Sequence, residues 1–180
     1  KAMIWVDTDY RDSLTRRLLV DALTICQAGE TKLPVFLCIG SDRHLLDCFG
    51  PLTGTLLQER LPQLNVYGTL DQPLHARNLT REMIIIKNRH PRQKYIAIDA
   101  AVGEEHEIGR LQLRNGPIYP GKATAKSLPA VGDYALTAIL EKRGHKAAAG
   151  RGNSPGFAAV YHMAKIVQQA VADWYDLYPQ

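Results

Sequence analysis

The sequence predicts a single α/β domain, and three observations carry that prediction. Two continuous apolar runs, Pro34-Val35-Phe36-Leu37-Cys38-Ile39-Gly40 and Lys94-Tyr95-Ile96-Ala97-Ile98-Asp99-Ala100, read as strands covered by helices on both faces. Stretches with helical spacing alternate with such runs, the pattern of βαβ units. With 180 residues, 46% of them apolar and 22% charged, the chain is long enough for one packed core and short for two. One domain over 1–180 is expected, with an N-terminal arm and helix over 1–30 and an α/β core over 34–178.

Each element follows in order. A short opening strand or arm is expected over residues 3–6. A helix over 12–28 places Leu14, Leu18, Leu19, Ala22, Leu23 and Ile25 at helical spacing and stops at Gly29. After the first buried strand, the loop Ser41-Asp42-Arg43-His44-Leu45-Leu46 leads to Asp47 and a helix through Gly50, Leu56, Leu57 and Leu61, closed by Pro62. A short strand over 65–68, a loop at Asp71-Gln72-Pro73 and a helix over 79–89 precede the second buried strand. Strands over 108–113, 116–119 and 134–140, joined by short loops, imply an antiparallel far side to the sheet. A Gly-rich loop over 150–155 introduces an amphipathic helix over 156–176.

Composition narrows the function. Lysine and arginine number 22 against 18 acidic residues, a net charge of +4 with no basic run, so neither nucleic acid nor an anionic surface is indicated as a partner. Cys26, Cys38 and Cys48 are odd in number and lack CxxC spacing, which fits a reducing, cytoplasmic setting better than a disulfide framework or zinc knuckle. No leader pattern is evident, and no apolar run approaches the roughly 18 residues of a membrane span, so no membrane partner is expected. Asn78-Leu79-Thr80 reads as a helix start rather than as a glycosylation acceptor.

Two aspartates carry the candidate chemistry. In open α/β sheets, ligands bind outside the carboxyl ends of the strands, and two of the most strand-like segments each deliver an aspartate there. Asp47 lies near a helix amino terminus, where its alternative role is a cap. Asp99 ends its strand directly, and a buried carboxylate needs donors or a cation, since an unpaired one costs several kcal/mol. Two carboxylates in one crevice suit two chemistries. One shares a proton between them, so that one acts as acid while the other activates water against an amide. The other binds a divalent ion with a third ligand, drawn from His44, His75, His106, Glu104 or Asp133, none of which stands at a metal-site spacing. Cys38 and Cys48 lack the surroundings of a nucleophile, and no GxSxG, GxGxxG or GxxxxGK pattern occurs.

Read together, Leu37-Cys38-Ile39-Gly40-Ser41-Asp42-Arg43, Asp47-Cys48-Phe49-Gly50-Pro51-Leu52, Tyr67-Gly68-Thr69-Leu70, Ile96-Ala97-Ile98-Asp99-Ala100, Gly116-Pro117, Pro120-Gly121 and Leu128-Pro129-Ala130-Val131-Gly132-Asp133 resemble the YyaC-like sporulation proteins. Those are similar to the spore germination protease and, more distantly, to the hydrogenase maturation endopeptidases. The resemblance implies a three-layer α/β/α sandwich of phosphorylase/hydrolase-like type, with a mixed, mainly parallel sheet. It implies a cytoplasmic protein of a spore or forespore, an endopeptidase acting on a protein or peptide. By it, Asp47 and Asp99 are the catalytic pair, and Gly40, Ser41, Asp42, His44, Gly50 and Asp133 line the cleft. No cofactor is expected; a divalent metal, if held, would take Asp47 and Asp99. The histidine that completes the hydrogenase-processing metal site has no counterpart over 128–133 here, and His44-Leu45-Leu46 replaces the small residues usual in the first loop. The alternatives are a silent peptide- or protein-binding module and a metal-dependent maturation-type peptidase. Self-association as a homo-oligomer is compatible with the sequence.

Overall fold

Val35, Phe36, Leu37 and Cys38 are all fully buried, which is possible only for a strand with a layer of side chains on each face. In the computed structural model, which describes residues 3–120, 128–144 and 155–178, this strand is β2 (Val35–Cys38). The other strands are β1 (Ile4–Asp9), β3 (Asn65–Tyr67), β4 (Tyr95–Gly103), β5 (Arg110–Asn115) and β6 (Tyr134–Lys142). Among the described residues four α-helices accompany them: α1 (Thr15–Cys26), α2 (Phe49–Arg60), α3 (Leu79–Arg89) and α4 (Phe157–Leu177). One six-stranded sheet runs in the order β1-β5-β6-β4-β2-β3. β3, β2, β4 and β6 are parallel to one another, and β5 lies antiparallel between β6 and β1.

Alternation along the strands sorts the core into two unequal layers. Phe36 and Cys38 of β2, Ile96 and Ile98 of β4, and Leu136, Ala138 and Leu140 of β6 pack with α1, α2 and α4. Val35 and Leu37, Ala97 and Ala135 point the other way, toward Leu79, Met83 and Ile86 of α3 and toward Leu74, Ile118 and Val131. The result is an α/β/α sandwich, as the sequence predicts, with three helices on one side and one on the other. α4 is the central helix of the thick layer: Val160, Met163, Ala164, Val167, Val171 and Trp174 are buried along its length.

The N-terminal part is built into this frame. β1 pairs with β5 over Ile4 to Asp9, longer than the expected arm, and Leu19, Leu23 and Cys26 of α1 enter the same cluster as α4. α1 starts later than the spacing predicts because Asp12 closes a turn, its carboxylate accepting the Leu14 N–H at 2.9 Å. The strand expected over 116–119 is reduced to a single bridge, Ile118 to Val131. Pro117 has no N–H to offer a ladder, and Pro120 ends the stretch. Gly121 and residues 150–154 of the expected Gly-rich loop lie outside the described residues. Among those described, no helix is long and apolar enough to cross a membrane.

Candidate active site

The site begins where β2 stops. Ile39 is held between its neighbours, its N–H donating to the Ile98 carbonyl at 2.7 Å, and the Gly40 N–H donates to the Leu74 carbonyl at 3.0 Å. The chain then loops out and returns as a 3₁₀ turn, Leu45–Asp47, laid on the end of the strand. The return is closed by backbone bonds: the Ser41 N–H donates to the Asp47 carbonyl at 3.0 Å, and the Asp47 N–H to the His44 carbonyl at 3.0 Å. Contact is so close that only glycine fits at two positions. A Cβ on Gly40, whose φ is +144°, would stand 2.1 Å from the Asp47 carbonyl oxygen, and one on Gly50 would stand 1.9 Å from that of Ile39. Both residues belong to the expected cleft set, and their part in it is to let Asp47 and the start of α2 rest on the tip of β2.

Asp99 arrives from the neighbouring strand. β4 does not end at Ala100 as the sequence suggests; it continues to Gly103 beside β6, with a register shift between Ala101 and Val102. β2, however, has its last paired residue, Cys38, opposite Ile98. From Asp99 onward β4 has therefore lost its β2 partner, and the opening there is made by the shorter neighbour. Ile98 and Ala100 face α1, α2 and α4, so Asp99 faces the thinner layer. Its Oδ1 accepts the N–H of Ala100 at 2.8 Å. The buried Thr137 is paired with it on β6 and points from the same face.

The two carboxyls feel each other. Burial pushes Asp99 up to about 8, the charge of Asp47 pushes in the same direction, and the Ala100 amide opposes both. Asp47 is accessible at the rim, yet the groups packed around its carboxyl desolvate it and push it above the usual carboxylate range. His44, the Ser41 N–H and His75 counter that by favouring its charged form. The arrangement is an asymmetric pair: a carboxylic acid that keeps its proton at neutral pH beside a carboxylate with donors and imidazoles around it. The cap alternative for Asp47 is not taken up, since the residue at the cap position of α2 is Cys48, whose Sγ donates to the Leu45 carbonyl at 2.9 Å.

Other expected residues fall where different chemistry explains them. Ser41 Oγ accepts the Arg43 N–H at 3.2 Å, and Asp42 and His44 are exposed on the same loop. Asp133 is not in this cleft. It precedes β6, and its carboxylate accepts the Tyr95 N–H at 2.9 Å, at the amino ends of β4 and β6. Asp99 lies four positions further along β4 from Tyr95, about 13 Å at strand rise. Glu104 is committed to a capping box on the turn Glu105–Glu107, and His106 is exposed there, beyond the end of β4. Burial holds the Cys38 and Cys48 thiols above their ordinary range, so neither is poised as a thiolate. Among the described residues no group of three or more His, Cys, Asp and Glu could hold a metal ion. His44 and His75 influence the charge of Asp47 without joining the two carboxylates in such a group, so the described residues do not fit a catalytic metal centre.

Sequence reasoning passes over Thr137. The signal is present, because it is the one hydroxyl in the apolar run Ala135-Leu136-Thr137-Ala138-Ile139-Leu140. What the sequence lacks is the register that puts it opposite Asp99. Also missed is a cavity of about 580 Å³ beside β3, into which His75 and Asp71 face.

Residues 8–170 match the model of a family described as a protein of unknown function, DUF1256. The chain belongs to the DUF1256 family. Both aspartates, the glycines of the β2 tip and strands β2 to β6 lie within the matched DUF1256 region, which takes in only the end of β1. Over 111 residues the DUF1256 chain is 39% identical to the uncharacterized protein YyaC of Bacillus subtilis (strain 168). That match covers 61% of this chain and 54% of the relative, so the chain spans about half the length of the curated relative it matches.

Proposed function

We propose that this DUF1256 chain is a peptidase of the germination-protease type, associated with sporulation, in which Asp47 and Asp99 share one proton and activate water on a peptide bond. The observation that carries the reading is the asymmetry of the pair: Asp99 holds its proton up to about 8, partly because Asp47 beside it is charged. Asp47, favoured as the anion by His44, the Ser41 N–H and His75, takes a proton from water as the water oxygen bonds to the amide carbon. Asp99 gives its proton to the carbonyl oxygen. Collapse breaks the C–N bond, the leaving nitrogen takes the proton from Asp47, and the hydroxyl proton returns to Asp99. The sporulation setting and the kinship with the germination protease rest on the motif resemblance.

The test is incubation with peptide libraries and with extracts of spore proteins, read by mass spectrometry, beside Asp47→Asn and Asp99→Asn. New termini made by the wild type, with kcat/KM lower by roughly 10³-fold or more in each variant, support the reading. Absence of cleavage by the wild type, or undiminished cleavage by both variants, overturns it. A second reading has its own observation. Leu45 is 39% exposed on the loop that carries Asp47, where the motif resemblance implies small residues, and such bulk would narrow access to the pair. A chain that binds peptides through the same cleft and leaves them intact would show saturable binding with no new termini.

A further inference from the structure

Among the described residues β3 is the last strand of the sheet, with β2 on one side of it and no strand on the other. α2 belongs to one layer and α3 to the other, so past β3 the two layers stand apart with the edge between them. The 580 Å³ cavity lies there, a size usual for a ligand site. Val66 and Ile86 supply apolar surface, Gln58 reaches in from α2 and Glu82 from α3, and the loop after β3 contributes Asp71 and His75. The cavity leads toward the aspartate pair: Leu74 pairs with Ile39 at the tip of β2, and the next residue, His75, is close enough to Asp47 to lower its proton affinity.

Its charge is one-sided. Asp71 is exposed and makes no hydrogen bond or ion pair among the described residues. Glu82 uses only Oε1 toward its neighbour, accepting Arg81 Nε at 3.0 Å and Nη2 at 2.6 Å. Among the described residues no lysine or arginine lines the space. An open strand edge takes an extended peptide through main-chain bonds, while the adjoining pocket selects the side chain. We propose that this groove holds an extended peptide along β3 and receives a lysine or arginine side chain, with Asp71 as the principal carboxylate.

The inference deepens the peptidase reading, on which its role as a substrate subsite rests, and the experiment separates the two. Fluorescein-labelled heptapeptide pools with lysine or the uncharged norleucine at the central position are titrated with wild type, Asp99→Asn, Asp71→Asn and Gln58→Arg, reading anisotropy. Binding of the lysine pool about tenfold tighter than the norleucine pool is expected for wild type and for Asp99→Asn. Asp71→Asn should erase most of that preference, and Gln58→Arg, which sets a cation in the groove, should reverse or abolish it. Equal affinity for the two pools, a preference unchanged in both groove variants, or no binding of either pool overturns the proposal. A lysine preference without cleavage removes the peptidase reading and leaves the groove; cleavage indifferent to lysine does the opposite. Circular dichroism confirms that each variant is folded.

Discussion

At the scale of residues, the Asp47–Asp99 pair makes stability depend on pH in a defined direction. An unfolded aspartate ionises near 4, whereas folded Asp99 keeps its proton until about 8. The folded state therefore binds the extra proton in that window. The contribution is fully present below about 4 and is lost as pH rises toward about 8. Asp99→Asn removes the titration while leaving an oxygen for the Ala100 N–H. It should be more stable than wild type at pH 7.5 by on the order of 3 kcal/mol, with the difference nearly gone at pH 4.5, as measured by urea unfolding. Asp47→Asn deletes the neighbouring charge, so the Asp99 titration, followed by carboxyl NMR, should move down. A titration that stays in place would mean that burial alone raises it. Asp133 gives the contrast: Asp133→Ala should cost about 1 kcal/mol through the lost Tyr95 bond and leave pool binding and cleavage unchanged.

The elements explain how a pair so far apart in sequence comes together. α2 and the Leu45–Asp47 turn rest on the β2 tip because Gly40 and Gly50 have no Cβ, and either Cβ would overlap backbone that cannot move aside. Gly40→Ala should therefore destabilise by roughly 3 kcal/mol or more and weaken peptide binding, since the carbonyl it strikes belongs to Asp47. The glycines were visible in the sequence as turn residues; the close approach that requires them was not, because it brings together residues seven (Gly40 and Asp47) and eleven (Ile39 and Gly50) positions apart. Between α1 and α4, the Arg16–Asp173 pair joins the helix surfaces at 2.5 Å with both side chains well exposed, while Leu19 is fully buried beneath. Thermal unfolding should show less than about 1 kcal/mol for Arg16→Ala and about 2–5 kcal/mol for Leu19→Ala.

For the molecule as a whole, the sheet is longer than its parallel core. β1 and β5 extend it past β6, and α1 closes the layer shared with α2 and α4. Val6, Leu19, Leu23 and Cys26 are buried in that layer, so a chain beginning at residue 33 would expose the α4 surface they cover. Such a truncation should lose the cooperative unfolding of the full chain, seen as a broadened or absent calorimetric transition, because β5 would become an open edge and α4 would face water. A sharp transition at an unchanged temperature would show instead that the segment after residue 33 folds by itself.

The sequence by itself determined the elements and their layering. Burial on both faces requires continuous apolar runs, amphipathic helices require a 3.6-residue period, and both are written locally. It also determined that Asp99 lies in a buried strand, where a carboxylate must be accommodated. Only the tertiary structure decided which groups share a cleft. Strand register put Thr137 beside Asp99 and sent Asp133 to the opposite edge, and the early end of β2 exposed a residue in the middle of β4. Those outcomes depend on how far each strand runs relative to its neighbours, a property of pairing between distant segments that no local pattern contains.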